Sequence, residues 1–329
     1  MQELPVIDVA PLVRGEGDCA AVARALDSAC RSHGFFYVRG HGVDDALQAR
    51  LDLLSRAFFA LPAADKAEMA MAHGGRAWRG WFPPDGELTS GRPDRKEGVY
   101  FGAELPPTDP RVAAGTPLHG PNLFPRQIPG LRAVVLEYLA AMTSLGHALC
   151  RGLALGLGLD EAWFDRHLTA DPLVLFRIFR YPPQPPDGDD WGVGEHTDYG
   201  LLTILRQDDV GGLQVHSHEG WIDAPPVPGT FVCNLGDMLE RMTGGRYRST
   251  PHRVRNTSAG DRLSFPFFFD PAWDAEVLPV PVLPGDPLPE GRPRWDGADL
   301  GALSGTYGDY LIAKVGRVFP DLRTRVLDP

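Results

Sequence analysis

Gly194-Glu-His196-Thr-Asp198-Tyr-Gly200 runs straight into Leu201-Leu-Thr-Ile-Leu205, a polar motif ahead of an apolar strand-like run. In an extended segment, side chains two apart point to the same side. His196 and Asp198 can therefore share one ion while Thr197 points away. His252 follows in a second strand-like stretch, Arg248-Ser-Thr-Pro-His-Arg-Val-Arg255. Around these lie Leu173 to Arg180, Gly212 to Val215, Thr230 to Leu235, Arg246 to Thr250, His252 to Arg255 and Arg262 to Phe269. They are short, β-branched or aromatic, and separated by turn residues. That succession predicts a mainly β core, a sandwich or jelly roll of two packed sheets with room for a pocket between them.

Two imidazoles and one carboxylate make the facial triad of non-haem Fe(II) sites, which leaves three octahedral positions open. The spacing alone leaves open a chance HxD pair and a surface His252. Ten residues beyond His252 comes Arg262-Leu-Ser264, another i, i+2 pair. A guanidinium fork plus a hydroxyl suits one carboxylate. Asn256 to Gly260 reads as a turn, so residues 252 and 262 are expected on paired antiparallel strands. An odd loop would set His252 opposite Ser264 and Val254 opposite Arg262; a slipped register would turn Arg262 away.

The preceding half is helical. Asp18 caps a helix bearing Val22, Ala25, Leu26, Ala29 and Cys30, and Phe35 to Val38 reads as a strand ended by Gly40. Helices are expected from Asp44 to Ala60 and after Pro62. Residues 73 to 128 show little period and read as long loops. Pro129 is placed to open a helix whose stripe of Leu131, Val135, Tyr138, Met142, Leu145, Leu149 and Leu153 reads as core packing. Asp237 is expected to cap a short helix, and a last helix spans Tyr307 to Val318. The expected organisation is one domain over 1–329, with a helix-rich region at 1–160, a jelly-roll core at 170–275 and a C-terminal helix within 300–320.

Of 329 residues, 43% are hydrophobic and 23% charged, which suits a globular chain. Its 32 basic and 43 acidic side chains give −11 without a basic stripe, which argues against nucleic acid as a partner. The pattern is read as lacking an apolar run of bilayer length or a secretory layout at the N-terminus, and a cytoplasmic location is expected. Cys19, Cys30, Cys150 and Cys233 form no CxxC pair and read as reduced thiols.

The ordered series Leu4-Pro-Val-Ile-Asp8, Gly34-Phe-Phe-Tyr-Val38, Tyr181-Pro-Pro183, His196-Thr-Asp198, Asn234-Leu-Gly-Asp237, His252-Arg-Val254 and Arg262-Leu-Ser264 spans nearly the whole chain. It resembles the isopenicillin N synthase-like family of Fe(II)/2-oxoglutarate-dependent oxygenases. The resemblance implies a double-stranded β-helix flanked by α-helices, with Fe(II) on His196, Asp198 and His252. It also implies 2-oxoglutarate on Arg262, Ser264 and Tyr181, and O₂ as the oxidant. One departure is Phe179, where many plant members carry an asparagine that contacts the cosubstrate. Arg177 is a candidate replacement or substrate contact, because Arg177, Phe179 and Tyr181 alternate onto one strand face. A structural salt bridge is the plainer alternative for it.

Arg79, Trp81, Tyr100 and Phe269 are further candidates for substrate contact, with solvated loop or core roles as the alternatives. His216 and His218 sit in an expected hairpin and are read as solvent-facing. The implied activity is hydroxylation of a small, polar or carboxylated metabolite, coupled to oxidative decarboxylation of 2-oxoglutarate. Desaturation, cyclisation and ethylene formation are open variants, and secondary metabolism is the expected setting. The rivals are a same-fold Fe(II) oxidase that does not use 2-oxoglutarate and a non-catalytic zinc-containing binding protein.

Overall fold

The computed structural model describes residues 3–89, 91–184, 191–217, 220–281, 296–297, 299–300, 305–320 and 323–324. The chain opens with β1 (Val6–Asp8), α1 (Ala10–Arg14), α2 (Cys19–Ser32), β2 (Phe35–Arg39), α3 (Asp45–Phe59) and α4 (Ala63–Ala67). Asp18 accepts the Ala21 N–H at 2.8 Å and caps α2 as its sequence position demands. The reading of 73–128 as loops is corrected. β3 (Gly80–Phe82) and β6 (Glu97–Gly102) belong to the main sheet, β4 (Leu88–Thr89) pairs with β5 (Arg92–Pro93), and α5 (Pro110–Ala113) is one short turn. β3 and β6 are buried at every position, so neither offers an in–out alternation to read.

α6 (Leu131–Gly156) begins after a Gly130 cap, with Pro129 one residue outside it rather than in the first turn. By length and composition α6 is apolar enough to cross a membrane, which corrects the expectation of no such run. Its buried stripe, from Leu131 through Tyr138 and Leu145 to Leu153, packs on α1, α2, α3 and the main sheet. Gly146 is where the sheet approaches most closely. A Cβ there would lie 2.4 Å from the Phe269 ring, so only glycine lets helix and strand meet.

The remaining elements are β7 (Leu173–Tyr181), β8 (Val193–His196), β9 (Leu202–Gln207), β10 (Leu213–Ser217), β11 (Gly220–Asp223), β12 (Phe231–Leu235), α7 (Asp237–Met242), β13 (His252–Val254), β14 (Arg262–Asp270) and α8 (Tyr307–Val318). The large sheet has the order β1-β2-β12-β9-β14-β7-β6-β3, and a smaller one the order β11-β10-β13-β8. Side chains of both sheets line one cavity between them, closed in part by Leu311 and Val318 of α8.

Three expectations fail for identifiable reasons. First, β13 and β14 are not partners. His252 pairs with His196 and Val215 in the small sheet, whereas Arg262 pairs with Tyr181 in the large one. The turn residues between them mark a crossover between layers. Asn256 fixes it by donating to the carbonyls of Tyr181 and Gly260, each at 2.8 Å. Second, 246–250 is not a strand. Its polar groups are drawn to other elements: Arg248 N donates to Cys30 O, and Thr250 Oγ1 donates to His33 O. Third, Gly236 is the cap of α7. The buried Asp237 carboxylate instead accepts from Ser249 Oγ and Tyr310 OH, tying α8 to the core.

Candidate active site

His196 ends β8 and His252 begins β13, and their direct cross-strand pairing sets the ring centroids 4.2 Å apart. Asp198 lies in the turn just beyond, where Asp237 N donates to its backbone carbonyl at 2.8 Å. Gly200 packs this turn against β14. A Cβ there would sit 1.5 Å from Asp270 Oδ1, so no other residue fits without displacing that carboxylate. Nε2 of His196 and Nε2 of His252 each lie 3.8 Å from Asp198 Oδ1, and the three ligand atoms fall within 4.8 Å of one another.

The unused atoms of all three residues are already engaged. His196 Nδ1 contacts Gly194 O at 2.8 Å, and His252 Nδ1 contacts Thr250 O at 3.2 Å. Carbonyls only accept, so Nδ1 carries the proton and each Nε2 presents a lone pair to the common point. Asp198 Oδ2 accepts from Thr203 Oγ1 at 2.5 Å and from Asn234 Nδ2 at 2.7 Å, leaving Oδ1 free. Burial, reinforced by the neighbouring imidazole, pushes His252 down to about 4, and burial also lowers His196. Burial alone would raise Asp198, but the two imidazoles and the Asn234 and Thr203 hydrogen bonds hold it below the usual carboxylate range. Two neutral imidazoles and one carboxylate with converging free lone pairs are the donor set a divalent iron takes.

Arg262 is fully buried in the same cavity. Its Nε donates to Gly211 O and its Nη2 to Gln207 Oε1 at 3.3 Å, while Nη1 has no partner among the described residues. The guanidinium lies 4.9 Å from the Tyr181 ring centre, and Tyr181 and Ser264 line the same cavity beside it. Burial raises Tyr181 above its ordinary range, so the phenol keeps its proton. An unmet guanidinium donor beside two hydroxyls is a seat for one carboxylate.

The other end of the cavity is ionic as well. Arg177 lies between the Tyr100 and Phe268 rings, at 4.2 and 4.7 Å, with Nη1 3.6 Å from Glu87 Oε1. Tyr100 OH donates to Glu87 at 2.5 Å, and Lys96 Nζ reaches Glu87 at 2.9 Å and Asp94 at 2.6 Å. Phe179 lines the cavity with Lys96 Nζ 4.7 Å from its ring centre.

Not every candidate reaches this space. Arg79 is buried elsewhere, donating to the carbonyls of Ala103, Leu118 and Gly120. Trp81 Nε1 donates to Glu97 at 2.9 Å, away from the cavity. Phe269 faces α6 and meets His147 edge-on, because β14 sends Ser264, Pro266, Phe268 and Asp270 inward and the odd positions outward. Tyr100 backs Arg177 rather than lining the wall. His216 packs edge-on against Trp221, and His218 lies outside the described residues. The sequence reading overlooked Thr203 and Asn234. They are cross-strand partners and buried polar side chains within apolar strands, a pattern that needs a polar target inside.

Two family models match the chain, a non-haem dioxygenase N-terminal region at residues 4–127 and the 2OG-Fe(II) oxygenase superfamily at 171–271. A probable iron/ascorbate oxidoreductase of Dictyostelium discoideum is 46% identical, over 99% of this chain and 98% of its own. A 1-aminocyclopropane-1-carboxylate oxidase of the same organism is 38% identical over 98% and 96%, and a homoarginine-6-hydroxylase of Glycine max 36% over 97% and 98%. Among solved structures, a full-length Neurospora crassa protein in complex with alpha-KG and thymine superposes with a TM-score of 0.77, at 26% identity over 95% and 96% of the two chains. Sheet architecture, donor set and sequence kinship converge, and the chain belongs to the Fe(II)/2-oxoglutarate-dependent oxygenases of the double-stranded β-helix fold.

Proposed function

We propose that His196, Asp198 and His252 hold the iron, that Arg262, Ser264 and Tyr181 seat the distal carboxylate of 2-oxoglutarate, and that the reaction hydroxylates a small polar molecule. The observation that carries this reading is the buried Arg262 guanidinium, its Nη1 without a partner among the described residues, lining the cavity where the Nε2, Nε2 and Oδ1 atoms converge. Held by these three residues, an iron would supply the activation of O₂ that couples oxidation of 2-oxoglutarate to succinate and CO₂ with hydroxylation of a substrate C–H bond. The chain's own part is positional. Asn234 and Thr203 orient Asp198, and Gly211 and Gln207 orient Arg262. Leu205, Val254 and Pro266 give the cavity apolar walls that exclude water.

A same-fold oxidase that binds its substrate carboxylate at Arg262 is the second reading, favoured by the likeness to a 1-aminocyclopropane-1-carboxylate oxidase. Anaerobic titration separates the two. A metal-to-ligand absorption band on adding 2-oxoglutarate to the Fe(II) protein, followed by O₂-dependent succinate release, supports the first. No band supports the second. A cytoplasmic location, with neither nucleic acid nor membrane as partner, completes the proposal, and cell fractionation tests it.

A further inference from the structure

Arg177 and Arg262 face the same cavity from opposite ends of one strand pair. Arg262 is paired with Tyr181, four residues along β7 from Arg177, which separates the two stations by roughly 13 Å at strand rise. The two ligating imidazoles lie on the facing sheet, with Asp198 in the turn just beyond it. Nothing in the iron or 2-oxoglutarate chemistry uses Arg177, yet it is an expensive residue to keep there. Its Nε is buried without a hydrogen-bond partner among the described residues, and its ionic contact with Glu87 at 3.6 Å is too long to be a hydrogen bond. Glu87 is complementary. Its Oε1 accepts from Tyr100 and its Oε2 is ion-paired with Lys96 Nζ at 2.9 Å, so a charged carboxylate stands beside Arg177 at this end of the cavity.

The surrounding charges decide what fits. Glu87 and Asp94 balance Lys96 and Arg177, so a phosphate dianion would leave this end strongly negative. A ligand carrying both signs meets the spare Arg177 donor and the Glu87 and Asp94 carboxylates without upsetting that balance. We propose that Arg177 and Glu87 recognise an α-amino-acid group of the substrate, Arg177 taking its carboxylate and Glu87 its ammonium. This rests on the oxygenase reading, because it requires Arg262 to be engaged by 2-oxoglutarate.

The test uses the full-length Fe(II) protein with 2-oxoglutarate. A panel of the twenty common L-amino acids, L-homoarginine and 1-aminocyclopropane-1-carboxylate is scored for stimulated succinate release. The same compounds are then tested as carboxamides and as N-acetyl derivatives, with anaerobic calorimetry of the best ligand alongside. At least one free amino acid is expected to stimulate turnover, with both kinds of derivative weaker by tenfold or more. Arg177→Gln is expected to raise KM and the calorimetric Kd for that amino acid about 10- to 100-fold, the range of a lost charge-assisted hydrogen bond. It should leave the 2-oxoglutarate absorption titration in place and abolish the preference for acid over amide. Arg177→Lys, which keeps the charge but not the fork, should recover part of the affinity. No stimulation by any panel member, or amides that serve as well as acids, overturns the assignment. Failure of the wild-type protein to give the 2-oxoglutarate band overturns the oxygenase reading instead.

Discussion

Replacing Asn234 by alanine, or Thr203 by valine, tests whether Asp198 owes its ligating geometry to the two donors on its far oxygen. Each change removes one hydrogen bond to a buried carboxylate, at 2.7 and 2.5 Å respectively. A hydrogen bond to a charged group contributes about 1.5–3 kcal/mol, which corresponds to a 10- to 100-fold weaker Fe(II) Kd for each variant. The sign with pH follows from the same bonds, which help hold Asp198 below its usual range. Without them a proton competes better for the carboxylate, so iron is released at a higher pH than from the wild type. Because both donors serve one oxygen, the double variant should lose less than the sum of the two. Anaerobic calorimetry with Fe(II) at several pH values, with circular dichroism as the check on folding, measures all of this. A folded Asn234→Ala or Thr203→Val protein whose Kd rises less than threefold, with an unmoved pH of release, refutes the reasoning.

Arg262→Gln should keep the iron Kd within about threefold but weaken 2-oxoglutarate by about 100-fold, read from the anaerobic absorption band. For the chelated protein, His252 sits near 4 when folded against about 6.5 unfolded, so the unfolded chain binds the extra proton between these values. Stability is therefore retained above pH 6.5 and falls by about 3 kcal/mol as pH drops to 4, the lowered Asp198 carboxylate continuing the loss at still lower pH; urea melts across that range check it. Gly200→Ala should destabilise by about 3 kcal/mol, since the added methyl overlaps Asp270 Oδ1, and a denaturant midpoint unchanged from wild type would contradict the packing.

What could be read in advance followed local rules. Asp18 and the heptad-like spacing behind it set α2, and the 3.6-residue stripe set α6. His196, Asp198 and His252 announced themselves because ligand spacing on a strand depends on alternation alone. Two kinds of information were not local. Whether Asn256 to Gly260 turns back within a sheet or crosses to the other one depends on the Asn256 bond to Tyr181, 75 residues earlier in the chain. Burial on both faces likewise hid β3 and β6, because a strand packed on each side shows no polar edge. The same limit explains the scatter among substrate candidates. Arginine and aromatic content marked Arg79, Trp81 and Phe269 as candidates, but which face each side chain takes was decided by pairings such as Trp81 with Val99.

β14 gives successive residues opposite duties, with Phe265, Phe267 and Phe269 in the helix-backed layer and Ser264, Pro266 and Phe268 on the cavity wall. Selection can therefore rewrite what the enzyme acts on through every second position while the intervening ones keep the scaffold's stability untouched. Diversification confined to the inward positions 266 and 268 would explore new chemistry at the cavity wall, whereas the same effort spent one residue over would fall on the buried aromatic layer of 265, 267 and 269.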